Sequence, residues 1–238
     1  MSGWSSKRFW TKADAVACEG GYEVQLDGRG VKTPAKAPLV VPTKKMAQAI
    51  ADEWNAQEEA VDPLSMPTTR SANAAIDKVR VQFDEVANMV ADYGDSDLLC
   101  YRADSPQELI ERQNAAWNPV LDWAESELGV RLELRTGIMH TPQDPRKLEV
   151  LRQKVHALSP FELTALHDLV GMSGSLILGF ATALKFDTPD SIWKRSRVDE
   201  QWQIDQWGDD EEDAETVRKK EVQFLHAHRF YALCHTVE

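Results

Sequence analysis

At Ser105-Pro106, Asp144-Pro145, Ser159-Pro160 and Thr188-Pro189 this chain sets a hydroxyl or carboxylate side chain directly before a proline. A short polar side chain can accept from the unpaired N–H groups of a first helical turn. Proline in that turn loses nothing, because the N–H it lacks would be unpaired anyway. Each pair therefore marks a helix start. Ser105-Pro106-Gln107-Glu108 and Ser159-Pro160-Phe161-Glu162 also carry a glutamate three residues after the serine, the pattern of a capping box. The first opens a helix that runs to Leu128 before Gly129, with a kink expected at Pro119. The helix from Pro189 is expected to continue to Gly208. A last helix begins in the acidic run Asp209 to Asp213 and reaches Leu233, with Arg218, Lys219 and Lys220 placed later, as the helix dipole favours. Residues 68 to 80 and 81 to 93 read as one broken helix or two short ones closed by Gly94. Leu176 to Leu184 is a core helix, and Val130 to Leu134 (VRLEL) is a short extended piece.

The first forty residues differ. Phe9 to Thr11, Tyr22 to Leu26, Val31 to Thr33 and Leu39 to Val41 are short extended runs separated by Gly20-Gly21, Asp27-Gly28 and Pro34 to Pro38. Asp-Gly after the alternating run YEVQL predicts a hairpin and a small antiparallel sheet. Thr43 caps a helix with Met46, Ile50 and Trp54 at helical spacing, expected to end near Val61. The two prolines of VDPLSMP, residues 61 to 67, mark a domain boundary. The expected fold class is α+β, mostly α: an N-terminal α/β domain over residues 1–66, then a helical bundle over residues 67–238.

The formal charge of −12 disfavours a nucleic acid or an anionic membrane as partner, since both demand clustered cations. No run of 18 apolar residues exists, so no membrane insertion is expected. Cys18, Cys100 and Cys234 lie far apart with no CxxC pair, which fits a reducing compartment. MSGWSSKRFW lacks the apolar region of a secretory signal and is too short and arginine-poor for an organelle presequence. Phosphate-cradling loops are missing. The pair Gly28-x-Gly30 sits in a hairpin without a third glycine. Six histidines show no metal-ligand spacing, so neither metal nor cofactor is expected. Gly171-Met172-Ser173-Gly174-Ser175 resembles a nucleophile elbow without its closing glycine. Its small residues read as permitting close helix packing. A hydrolase using Ser173 or His167 is kept as the alternative to a non-enzymatic protein without catalytic residues.

Ser196 to Gly208, SRVDEQWQIDQWG, stands out among the helical segments. At about 100° per residue, Glu200 shares a face with Trp193, Ile204 and Trp207, while Val198 and Trp202 fall opposite. A carboxylate in an apolar stripe is costly to bury alone. It is explained either by a pair with Arg197, three residues earlier, or by a binding surface.

The residues then carry a family resemblance. The segments GGYEVQLDGRGVKTPAKAPLVVPT (20 to 43), DPLSMPTTRSANAAID (62 to 77), DSDLLCYRAD (95 to 104) and SRVDEQWQIDQWG (196 to 208) carry it, supported by PFELTALHDLVGMSGSLILGFA (160 to 181). In order and spacing the chain resembles the assembly chaperones of the F-type ATP synthase that attend the free alpha subunit of its catalytic sector. The resemblance implies a small N-terminal α/β domain followed by an orthogonal helical bundle, with no enzymatic activity, metal or nucleotide. It implies a partner, the free alpha subunit, whose assembly surface is shielded until a beta subunit replaces the chaperone. Glu200 matches the family's functionally important acid, and Asp199, Trp202, Gln203 and Trp207 complete that motif. Arg197 joins them as a candidate partner-binding residue. Asp97, Tyr101 and Arg102 match patterned family positions, either as client contacts or as bundle supports. A monomer when free is expected, cytoplasmic in a bacterial member or in the mitochondrial matrix for an organelle member in mature form.

Overall fold

A computed structural model of the chain describes residues 7–137, 139–208 and 211–235. It divides into two compact units, one of Met1–Phe83, Ser159–Ala165 and Arg229–Glu238, the other of Asp84–Leu158 and Leu166–His228.

The first unit is built on an antiparallel sheet. Strand β1 (Ala13–Cys18) pairs along its whole length with β2 (Gly21–Leu26), which also pairs β3 (Arg29–Gly30) and β4 (Val40–Val41). The Asp27-Gly28 hairpin forms as expected between Leu26 and Arg29. Both turn residues have positive φ, 46° and 81°, the twist that a two-residue hairpin requires. The Asp27 carboxylate accepts from the N–H groups of Thr11 and Lys12, each at 2.9 Å, and so anchors the chain entering β1. That anchor explains one correction: Phe9 to Thr11 is no strand, and the strand lies at β1 instead. Its small side chains (ADAVAC) give little alternation to read. The expected strand at 31–33 shrinks to an isolated bridge, Lys32 with Pro38.

Helix α1 (Lys44–Asn55) starts at Thr43, whose Oγ accepts from Met46 N–H at 3.1 Å and donates to the Leu233 carbonyl at 2.6 Å. It buries Met46, Ala47, Ile50 and Ala51. It stops at Asn55, short of the expected Val61; there the Arg8 guanidinium donates to the Asn55 and Gln57 carbonyls, and the Asn55 side-chain amide pairs with both backbone groups of Ala13. Helix α2 (Pro67–Ala74) is followed by a π-helical turn, Ala75–Val79. Glu53 of α1 accepts from the N–H groups of Thr68 and Thr69 at 2.7 and 2.8 Å. Asp77 accepts from the Thr33 hydroxyl and Ala35 N–H. These bonds tie residues 67–83 to the sheet, so the compact units part at 83/84, whereas the prolines suggest 66/67.

The second unit is helical: α3 (Phe83–Asp92), α4 (Gln107–Leu128), α5 (Pro145–His156), the later turns of α6 (Pro160–Ser173), α7 (Leu176–Ala183), α8 (Pro189–Ser196), α9 (Val198–Trp207) and most of α10 (Glu211–Cys234). A two-residue parallel ladder joins β5 (Tyr101–Arg102) to β6 (Arg135–Thr136). Extended pairing therefore falls just after the expected Val130 to Leu134, whose residues form no strand. Every residue of α7 is buried. Trp117, Leu121, Leu151 and Phe224 are fully buried with it. Helix α4 runs through Pro119 without interruption.

The caps divide. Ser159 and Glu162 form the reciprocal capping box, with Ser159 N–H donating to Glu162 at 2.6 Å and Glu162 N–H to Ser159 Oγ at 3.3 Å. Asp144 and Thr188 cap α5 and α8. Ser105 does not cap α4: its hydroxyl donates to Asp104 instead, and the helix starts without a side-chain cap. Asp209 and Asp210 of the acidic run, and residues 1–6 of the N-terminal stretch, lie outside the described residues.

Gly179 is the packing glycine of α7. A Cβ there would lie 2.6 Å from Val170 Cγ2 and 3.2 Å from Leu166 Cδ1. Alanine would add about 1 kcal/mol of helix propensity, but overpacking a close contact costs about 1–3 kcal/mol. Gly179→Ala is expected to lower stability in urea denaturation. Gly171→Ala, whose Cβ would meet nothing within 4 Å, is expected to leave it unchanged or raise it.

Candidate functional site

The expected helix from Pro189 to Trp207 is two helices. Arg197, at φ −112° and ψ 16°, separates α8 from α9. The Arg197 N–H reaches Lys194 O, three residues back, and the Ser196 hydroxyl donates to Trp193 O, so the last turn of α8 tightens and ends. The break separates residues that one continuous helix would align. Trp193 is buried against Phe224, ring centroids 5.4 Å apart, and so is not part of the face that carries Glu200.

On α9 the two faces resolve. Trp202 points inward, 8% exposed, with the Arg112 guanidinium 4.8 Å from its ring centroid. Arg112 is held in turn by Asp205 and Glu108. The opposite face carries Glu200, Ile204 and Trp207, and Trp207 is 80% exposed. Glu200 accepts from Arg197 Nη2 at 2.6 Å and keeps 48% of its side chain exposed. Partial burial pushes its carboxyl above the ordinary range, against the lowering pull of Arg197. Arg197 lies 5.1 Å from the Trp193 ring centroid, so one guanidinium couples the core of α8 to the acid of α9. Asp199 is half-buried and accepts from Gln113 Nε2 at 2.7 Å, while Gln203 is exposed. Both carboxylates and Gln203 border a cleft of about 400 Å³, which also reaches Gly171, Met172 and Lys220.

Asp97 and Arg102 lie elsewhere, in the core. Asp97 is fully buried. Its Oδ1 accepts from the Ser175 hydroxyl at 2.7 Å and Leu99 N–H at 3.0 Å, and its Oδ2 from Ile177 N–H at 3.0 Å. The Arg102 guanidinium is 7% exposed and donates to Leu99 O, Asn114 Oδ1 and Asn118 Oδ1, over the Trp117 ring. Of the two readings, client contact or bundle support, their burial favours support: Asp97 is fully buried and Arg102 is 7% exposed. Both organise the segment between α3 and α4. Tyr101 is half-buried, with its hydroxyl 3.1 Å from His140 Nδ1.

The Ser173 alternative also meets the geometry. Ser173 is buried, with its hydroxyl donating to Leu169 O at 2.7 Å. His167, on the same helix, pairs with its neighbour Asp168 at 3.0 Å. Six residues along a helix put the two side chains about 120° apart around the axis and roughly 9 Å apart along it. The histidine is not within reach as a base. The glycines beside Ser173 are not packing glycines either: Gly171 is open to a Cβ, and Gly174 turns the chain with φ 72°. Among the described residues no cluster of three or more His, Cys, Asp or Glu could hold a metal, and no helix is long and apolar enough to cross a membrane.

Sequence reasoning missed Gly171, Met172 and Lys220. They come from α6 and α10, and only the fold brings them beside α9. The available signal was Gly171 itself, a helical glycine on an exposed face.

An exposed tryptophan beside a half-exposed carboxylate, on a helix anchored through its other face, has the anatomy of a protein-docking surface. The comparisons make the class specific. The family model described as the ATP12 chaperone protein matches residues 7–125. The crystal structure of Atp12 from Paracoccus denitrificans is 46% identical with a TM-score of 0.94, over 96% of this chain and 98% of that one. The Atu1473 protein of Agrobacterium tumefaciens is 38% identical with a TM-score of 0.89, over 96% of this chain and 85% of that one. Protein atp12, mitochondrial, of Schizosaccharomyces pombe is 26% identical over 216 residues, 86% of this chain and 74% of the relative. The chain belongs to the ATP12 chaperone protein family. It is an assembly chaperone of the F1 ATP synthase, and its relatives are named as chaperones rather than enzymes.

The buried acid gives a test of its own. Asp97 is pushed up to about 6, chiefly by burial, against the lowering effect of its hydrogen bonds to Ile177, Ser175 and Leu99. In an unfolded chain the carboxyl titrates near roughly 3.9. The native state therefore holds this proton over the window between the two values. Asp97 opposes folding above that window and does so less as pH falls through it. Relative to Asp97→Asn, the wild type is expected to gain stability from about pH 7 to about pH 4, read as the difference between two urea titrations. Asp97→Ala, which strands three donors, is expected to lose about 2–5 kcal/mol at neutral pH.

Proposed function

We propose that this chaperone binds the free alpha subunit of the F1 sector, as a monomer, through the outward face of α9. The observation that carries this reading is Trp207, 80% exposed on the same face as Glu200 and Ile204. A large aromatic left in water on a helix otherwise fixed to the core is the kind of anchor that dominates protein interfaces. The assembly surface of an unpartnered subunit is apolar and prone to aggregate. A cover for it has to supply apolar area and be removable. Trp207 and Ile204 supply the area. Glu200 and Gln203 bring polar groups that keep the face soluble when it is empty.

Co-purification with separately expressed alpha and beta subunits tests the client directly. A complex with alpha and none with beta is expected. Failure to form a complex where alpha alone aggregates would sink the reading. Glu200→Lys separates contact from support. The Arg197–Glu200 pair is partly exposed, 20% and 48% of the two side chains, and Arg197 keeps the Trp193 ring when the acid is lost, so the change is expected to cost about 1 kcal/mol or less. The variant is therefore expected to keep its melting temperature within a few degrees while client affinity falls about tenfold or more. Parallel loss of stability and binding would assign Glu200 to support instead.

A further inference from the structure

The sheet of the first unit ends in a long edge. Strand β1 pairs only β2, in unbroken register over Ala13–Cys18, whereas β3 and β4 are two residues each. Pairs along an antiparallel ladder alternate between exchanging both hydrogen bonds and exchanging none. Asp27 N–H donates to Lys12 O at 3.0 Å, so the bonds of this ladder fall on Lys12, Asp14, Val16 and Cys18. The N–H and C=O groups of Ala13, Ala15 and Ala17 therefore point away from β2. The far side of β2 agrees: Val24, opposite Ala15, accepts from Val31 N–H at 2.8 Å. Ala13 is already served. The Asn55 side-chain amide accepts from Ala13 N–H at 2.8 Å and donates to Ala13 O at 2.9 Å. An amide there does what the backbone of a neighbouring strand would do. At Ala15 and Ala17 no residue among those described supplies such a partner. Ala15 is half-buried and Ala17 exposed. Strand β1 also lacks the proline, lysine or bulge that commonly blunts an edge. Its one charge, Asp14, alternates to the other face from the alanines and is paired with Lys12 at 2.7 Å.

We propose that the edge of β1 at Ala15 and Ala17 takes an extended segment of the client as an added strand. The inference rests on the alpha-subunit reading above for the identity of the client and adds a second attachment. Unpaired backbone groups at strand spacing are met by another backbone, and the Asn55 amide marks the first position of that row. The alanine methyls leave room for large side chains on the incoming strand, whose directly opposed residues would sit about 4.5–5.5 Å away. Two open residues offer four hydrogen bonds and little area, far below the roughly 1,200 Å² that a stable pair of proteins buries. A second copy of this chain, edge to edge, would not hold on that contact alone. A client already held elsewhere on the chaperone would, because the strand then adds as an intramolecular step.

Amide hydrogen exchange, read residue by residue, tests the edge. In the free chain the Ala15 and Ala17 amides are expected to exchange about tenfold or more faster than those of Asp14 and Val16, which the ladder holds. Saturating purified alpha subunit is expected to slow Ala15 and Ala17 about tenfold or more. Ala17→Pro removes an outward donor and spares the β1–β2 ladder, since proline is accepted on an edge where its N–H would face solvent. Its affinity for alpha subunit is expected to fall about tenfold, while Ala17→Thr, which keeps the donor, stays close to wild type. Should Ala17→Pro not fold, the wild-type exchange rates decide alone. Alpha subunit that binds while both amides keep their free-chain rates overturns the added strand and leaves the client reading intact. So does folded Ala17→Pro binding alpha subunit as tightly as wild type. No complex with alpha subunit at all removes the client, and the strand with it. Slowing in the free chaperone that grows with its own concentration assigns the edge to a second copy and overturns the proposal.

Discussion

The helical unit depends on one buried carboxylate. Helix α7 is buried at every position, so its first-turn N–H groups cannot turn to water. They are met from two directions. Ser175 Oγ accepts from Leu178 N–H at 2.9 Å, and Asp97 Oδ2 accepts from Ile177 N–H. Asp97 also accepts the Ser175 hydroxyl proton, which leaves that oxygen free to serve Leu178. The same side chain fixes its own segment through Leu99 N–H, while Leu98 N–H donates to Gly174 O at 3.2 Å. One carboxylate thereby locks the short turns between α3 and α4 onto the start of the most buried helix. A negative charge at a helix N-terminus is favoured by the dipole, yet burial opposes it. Here burial prevails, and the group holds its proton up to about pH 6.

This lock carries weight for α9 as well. Gly174 follows α6 and Ser175 caps α7, so the turn that Asp97 holds also borders the cleft beside Asp199 and Glu200. Arg102, one turn of chain further on, holds Asn114 and Asn118 of α4, and α4 supplies Gln113 to Asp199 and Arg112 to the Trp202 ring. The inner face of α9 is thus fixed by two residues of α4 whose helix is fixed by Arg102. The buried residues of DSDLLCYRAD are the scaffold behind SRVDEQWQIDQWG. Two segments that look in sequence like candidates for one task divide it between them.

What could be read from the sequence was local. Thr43, Asp144, Ser159 and Thr188 cap helices where their side chains suggest, because a cap is decided within four residues. The Asp27-Gly28 hairpin is equally local. Apart from Ser105, whose hydroxyl turns to its neighbour Asp104, and the break at Arg197, the misses are cases in which a distant residue intervened. At the end of α1 the carbonyl of Asn55 accepts from Arg8, forty-seven positions away. Asp77 holds Ala35 and keeps residues after the proline pair with the sheet. Arg197 breaks the helix at a position whose residue type carries no helix-breaking signal. In the site, the inward turn of Trp202 and the openness of Glu200 follow from periodicity once the break is known. The cleft does not, since its walls come from Leu98, α6, α9 and α10. The division of acids into buried Asp97 and half-exposed Glu200 was equally hidden, because both stand beside apolar residues in sequence.

Exchange is the physical demand on a temporary cover, and the Arg197–Glu200 pair fits that demand on the proposed reading. A carboxylate buried without a partner would bind a cation tightly but destabilise the empty chaperone. A fully solvated one would keep the chaperone stable but add little to binding, because water screens it. Glu200 lies between these limits, half exposed and already holding one guanidinium. A docking partner would meet an acid whose desolvation is partly complete and whose existing partner can fall back on the Trp193 ring. The empty state therefore strands neither charge. On the proposed reading, a cover held by so modest a charge contribution can be displaced by competition for the same apolar surface, with no chemical step to drive release.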